Sequence, residues 1–138
     1  MGPLYVNLAI DKGISEFWVG VIVAAFPFSG VFSTFLAPWF STFFGRKRYA
    51  MFCIIMCVLT GILMGYLNEI KDVDTFFYLS LLARILHGHA DYSYCIISAS
   101  FILNLYRDDP NIGFVFSFLR TGNLLGYAVG PLFGALLF

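Results

Sequence analysis

Charge is what this sequence has least of. Only 12% of its residues are Asp, Glu, Lys or Arg, eight acidic and eight basic, and the formal net charge is zero. A nucleic-acid partner, which needs an excess of basic side chains, is therefore not expected. Cysteine is scarce too. Cys53, Cys57 and Cys95 lie in apolar runs without the CxxC pairing of a zinc or redox site, and they read as small apolar fillers. No HExxH, Ser/His/Asp or paired-carboxylate arrangement is present, so enzymatic chemistry, a metal and a cofactor are all unexpected. The two histidines, His87 and His89 of "HGHAD", are two residues apart, a spacing that turns them to different sides of a helix. The start, "MGPLYVNLAIDKG", lacks a basic n-region, and polar residues break its apolar stretch; membrane insertion is expected to rest on internal spans rather than on a cleaved signal.

What the sequence has in excess is apolar surface: 60% of residues are hydrophobic and 20% aromatic. A chain this short cannot bury so much apolar area within itself, which makes the bilayer its expected solvent. A span takes about 20 mainly apolar residues, and four stretches meet that demand, at about 18–44, 49–67, 76–106 and 112–138. Membrane strands would be about 9–11 residues long with strict alternation, a pattern absent here. The expected fold is an all-α membrane protein, a four-helix transmembrane bundle in one domain, with short loops that force neighbouring helices to run antiparallel.

Orientation follows from the basic residues near the span ends. Arg46, Lys47, Arg48 and Arg107 fall on one side, Lys12 and Lys71 on the other. The "GRKR" and "RDDPN" loops are thus expected in the cytosol, and "NEIKDVDT" with the N-terminal stretch outside or in an organelle lumen. Plasma membrane and vesicle membrane are not distinguished.

Ionisable residues inside spans cost a few kcal/mol each and usually face a polar interior or a pathway. Arg84, His87 and Asp91 lie within about 60° of one another on a helix, while His89 points away from them. Counting down from Phe76, Asp91 lies about 22 Å into a core about 30 Å thick, and Arg120 lies about 12 Å up from Ile112. An Asp91–Arg120 ion pair between consecutive helices is geometrically reasonable, either as simple neutralisation or in support of a pathway. Arg84, nearer the midplane with no acid beside it in sequence, is the candidate for a substrate or proton path. His87 is open between a titrating role and a structural hydrogen bond.

Three motifs, in order, resemble the major facilitator superfamily of secondary transporters. "APWFSTFFGRKR" is similar to its loop signature between helices 2 and 3, with Gly45, Arg46 and Lys47 matching. "ARILHGHAD" resembles the fourth-helix Arg-x-x-Gln-Gly motif through Arg84 and Gly88, with His87 in place of Gln. "GNLLGYAVGPLFGA" resembles the fifth-helix antiporter motif through Gly126, Gly130, Pro131 and Gly134, Ala135 replacing the last Gly. The entry "PLYVNLAIDKGISEFWVGVIVAAFPFSG" looks like the end of helix 1 and helix 2 of the drug/proton or vesicular amine/polyamine branch. Two acids of that pattern are neutral here, at Thr42 and Asn104, which puts charge-coupled gating in question.

The resemblance implies that this sequence covers the end of helix 1 to helix 5 of a twelve-span, two-half protein. It implies proton-coupled antiport of a small organic solute, such as a cationic amine or drug, by alternating access, with Arg84 in the cavity or proton path and His87, Asp91 and Arg120 supporting it. The alternative is a truncated remnant that serves as a structural or accessory membrane subunit.

Gly122, Gly126, Gly130 and Gly134 form an i+4 stripe that drifts about 40° per step. In lipid, such small residues let backbones approach closely. Pro131 frees the Tyr127 carbonyl and invites a bend. With Pro27 and Gly30 of the first span, this groove is expected to face a partner outside these residues: the second half of the transporter, another copy, or a different membrane protein.

Overall fold

The computed structural model describes the backbone of residues 3–137, and side-chain surroundings for residues 5–126, 128 and 129. Five helices follow in order: α1 Pro3–Asp11, α2 Glu16–Phe44, α3 Arg46–Tyr66, α4 Val73–Leu105 and α5 Ile112–Leu137, with a 3-10 turn at Leu67–Glu69. Among the described residues there is no strand. Among the described residues two helical segments, Glu16–Phe44 and Arg46–Glu69, are long and apolar enough to cross a membrane. The long α4 carries Arg84, His87, His89 and Asp91 through its middle, which lowers its hydropathy; at about 50 Å it exceeds the thickness of a hydrocarbon core.

Chain reversals are set by glycine and by caps. Gly13 takes φ 90°, and its N–H bonds the Ile10 carbonyl at 2.8 Å while Ile14 N–H reaches Ala9 at 3.1 Å. This left-handed step ends α1. Gly45 takes φ 84° and ψ 134° and is the sole residue between α2 and α3. At the head of α4, Asp72 accepts from the Thr75 N–H at 2.9 Å and also from the Thr75 hydroxyl, satisfying a donor that the first turn leaves open. Lys12 Nζ donates to the Asn68 carbonyl at 3.0 Å and to the Ile70 carbonyl, and sits 5.1 Å from the Phe76 ring centre. That lysine fastens the α1–α2 turn to the segment after α3, so these two connections share one end of the bundle.

α4 is the centre, packed against α2 on one side and α3 on the other. The α2 side of this contact is a row of small residues, Ala25, Ser29, Ser33 and Ala37, all buried at i+4 spacing. Ala83, Gly88, Ala90 and Ser93 are buried on α4. Small side chains on both helices bring the backbones close, as helix association in lipid requires. Gly88 shows how close: an added Cβ would collide with Ser29 Oγ and the Phe26 carbonyl. At Gly30 it would meet the Tyr92 ring at 2.6 Å. Gly30 therefore faces α4 within this chain, and the expectation that it faces an outside partner is corrected.

Two apolar clusters flank this contact. One gathers Tyr5, Ile14, Ile22, Leu67 and Phe76 near the Lys12 end; the other gathers Ala37, Tyr49, Cys53 and Ile97 towards the Gly45 end. Outside them the surface is strongly apolar, with Phe28, Phe35, Trp39, Phe43, Phe114 and Phe118 all exposed, as suits side chains that meet lipid. α5 adjoins α4 only slightly, and its described residues are mostly exposed. A Cβ at Gly122 or Gly126 would meet nothing within 4 Å. The surroundings of Gly130, Pro131 and Gly134 lie outside the described residues.

Candidate functional site

The polar residues of α4 form three centres spaced along the helix. At the first, near α1, the Arg84 guanidinium lies 5.5 Å from the centre of the Tyr5 ring, a cation–π distance. Ser80, one turn before Arg84, faces the Tyr5 hydroxyl. Tyr5 OH, Ser80 Oγ and Arg84 Nε are all buried, and none has a hydrogen-bond partner among the described residues. The Tyr5 ring is held in place by stacking on Phe76, centroids 6.1 Å apart.

His87 makes the second centre. Its Nδ1 lies 2.7 Å from Thr60 Oγ1 on α3. Thr60 also lies 2.8 Å from the Met56 carbonyl and 3.1 Å from that of Cys57. A hydroxyl has one proton to give; directed at a carbonyl, it makes His87 Nδ1 the donor and leaves Nε2 as a lone pair. The Phe26 ring stands 5.7 Å from the imidazole.

The third centre is His89, which ties three helices together. Nδ1 is 2.8 Å from Ser33 Oγ on α2, and Nε2 is 3.1 Å from the Tyr49 hydroxyl on α3. Ser33 bonds onward to the Ser29 carbonyl at 2.9 Å, and Tyr49 to Ser93 at 3.3 Å. Both ring nitrogens are thus satisfied, and the chain of hydroxyls fixes the ring's orientation. Beside it, a cavity of about 370 Å³ is lined by Phe40, Phe44, Arg48, Tyr49, Phe52 and His89. His89, expected to point away from Arg84, His87 and Asp91, has partners of its own, Ser33 and Tyr49.

Asp91 is half-buried and engaged by neighbours, whereas Arg120 is exposed on α5. Cys95, one turn past Asp91, is within electrostatic range of both. Arg46, Lys47 and Arg48 are exposed directly after Gly45. Among the described residues no group of three His, Cys, Asp or Glu could hold a metal; His87 and His89 are engaged by different hydroxyls on different neighbours.

Polar contacts missed by the sequence reading were Tyr5, Ser80, Ser33, Tyr49, Thr60 and Ser93. One signal pointed to some of them: Ser80 precedes Arg84 by a full turn, and Ser29, Ser33 and Ala37 repeat every fourth residue.

An apolar exterior, small-residue helix contacts and a half-buried polar row on the central helix fit a helical integral membrane protein. The Major Facilitator Superfamily model matches residues 1–138, and the chain belongs to that family. The bacillibactin exporter of Bacillus subtilis (strain 168) is similar, 24% identical over 136 residues, which cover 98% of this chain and 33% of that protein. The chain thus spans about a third of the length of that relative. No solved structure matches.

Proposed function

We propose that this chain contributes to transmembrane transport of a small organic solute, by proton-coupled antiport with alternating access, in a protein of which these helices are one part. The carrying observation is the row of Arg84, His87 and His89 along α4, covered by α1, α2 and α3 in a chain whose exterior is apolar. Polar groups in that position are costly unless a pathway or a partner uses them. Arg84 contacts the solute or the proton path, with His87, Asp91 and Arg120 supporting it. Gly45, with Arg46 and Lys47 in the first turn of α3 rather than in the expected loop, lies on the cytosolic side, and the Gly122–Gly126–Gly130–Pro131–Gly134 series packs against the other half. Placement in the drug/proton or vesicular amine/polyamine branch is supported by the entry stretch at 3–30. The likeness to a bacillibactin exporter supports outward movement of the solute. Reconstitution in proteoliposomes with an imposed pH gradient tests the reading: gradient-driven solute uptake by the protein is expected, and its absence, with a full-length relative active in the same vesicles, rejects transport by this chain alone.

A second reading, an accessory membrane subunit, is favoured by one observation: the described part of the glycine stripe is uncovered. Crosslinking from Gly126→Cys separates the two. Capture of another copy or of a superfamily second half supports transport, and capture of an unrelated membrane protein supports the accessory role.

A further inference from the structure

The centre at Tyr5, Ser80 and Arg84 differs from the other two in what it lacks. His87 and His89 find hydroxyl partners, but Tyr5 OH, Ser80 Oγ and Arg84 Nε do not among the described residues. Tyr5 is 7% exposed and Ser80 is 0% exposed, so bulk solvent does not reach them readily. All three groups can donate a hydrogen bond, and the guanidinium can do nothing else. Among the described residues that guanidinium overlies the ring of a phenol, Tyr5. Three neighbouring donors, one of them on a half-buried guanidinium, suit an acceptor that is itself negative. A cationic solute would meet the like charge of the half-buried Arg84 and be disfavoured there. On the other side the centre merges with the apolar cluster around Phe76 and Ala83, which suits a carbon skeleton.

We propose that Tyr5, Ser80 and Arg84 form a binding site for a small organic anion with an apolar body, of the aryl carboxylate class. This deepens the transport reading and rests on it. The carboxylate accepts from Arg84, Tyr5 OH and Ser80 Oγ, while the ring packs toward Phe76. The solute of this chain is then an acid rather than an amine.

Equilibrium dialysis of the full chain in lipid nanodiscs tests the site with benzoate and benzylamine, which share a ring and differ in charge. Saturable benzoate binding is expected, with benzylamine at least tenfold weaker. Tyr5→Phe keeps the stacked ring and removes one donor, and Arg84→Gln removes the charge; each weakens benzoate by about tenfold or more, the usual loss for a hydrogen bond to a charged group. If Arg84→Gln fails to fold, Tyr5→Phe and Ser80→Ala still interrogate the same centre. Equal binding of the two probes, no saturable benzoate binding at millimolar levels, or wild-type benzoate binding in the folded variants overturns the anion site. Benzoate binding without gradient-driven uptake removes transport by this chain and leaves the anion site; uptake that ignores Arg84→Gln, with no benzoate binding, removes the site and leaves transport.

Discussion

Replacing Gly88 by alanine adds a single methyl group where α4 meets α2. That methyl would overlap Ser29 Oγ and the Phe26 carbonyl oxygen and carbon. Ser29 can rotate, but the Phe26 carbonyl belongs to the backbone of α2 and cannot move without moving the helix. Overpacking of this kind costs about 1–3 kcal/mol, and the overlap with backbone places Gly88→Ala at the upper end. Alanine recovers about 1 kcal/mol through its better helix propensity, so a net loss of about 2 kcal/mol is expected. Gly126→Ala is the internal control: the same methyl meets open space, and only the propensity gain of about 1 kcal/mol remains. Reversible unfolding in mixed micelles, followed by far-ultraviolet circular dichroism, measures both. Ser29→Gly added to Gly88→Ala should recover only part of the loss, because the Phe26 carbonyl stays in place. Equal stability of Gly88→Ala and the wild type, or full rescue by Ser29→Gly, would refute the close α2–α4 contact.

Two further outcomes follow from the caps and bonds. Tyr49→Phe leaves His89 Nε2 and Ser93 Oγ without their shared partner, and a loss of about 1–2 kcal/mol is expected in the same unfolding experiment; a change below the error of the measurement would remove the three-helix tie. The Asp72 carboxyl is held below its ordinary value of 3.8 by the Thr75 hydroxyl and N–H. Its folded pKa being the lower one, the cap's contribution is fully present above the unfolded pKa and fades as pH falls through the folded one. Amide exchange at Thr75, corrected for its intrinsic rate, should therefore gain no extra opening until below the ordinary carboxylate range, and Asp72→Asn should flatten that response; identical acid profiles would contradict the cap.

The all-helical character was readable from the long apolar runs without alternation, and a single Gly45 is enough to break α2 from α3. Arg84 and His87 stand out in the sequence as rare ionisable groups in apolar runs. The contacts of His89 were not legible there. A helical-wheel argument assumes one polar face and one neighbour, but α4 is covered by two helices, and a ring turned from one of them meets the other. The glycine stripe drew the eye to α5, whereas the close contact is made by Ala25, Ser29, Ser33 and Ala37 of α2 against Gly88. Serine and alanine are as small as the contact needs, and a search for glycine alone passes over them. Tyr5 stayed hidden because its partners, Ser80 and Arg84, are about eighty residues away, a pairing that local spacing does not encode.

The one-residue corner at Gly45 has a mechanical consequence. With no slack between α2 and α3, neither can slip lengthwise past the other by a helical turn, so a tilt of α2 is handed to α3 as by a crank. Arg46, Lys47 and Arg48 sit on the outer arm of that crank. A movement of the Ser29–Ser33 surface across α4 would therefore shift the three positive charges that open α3.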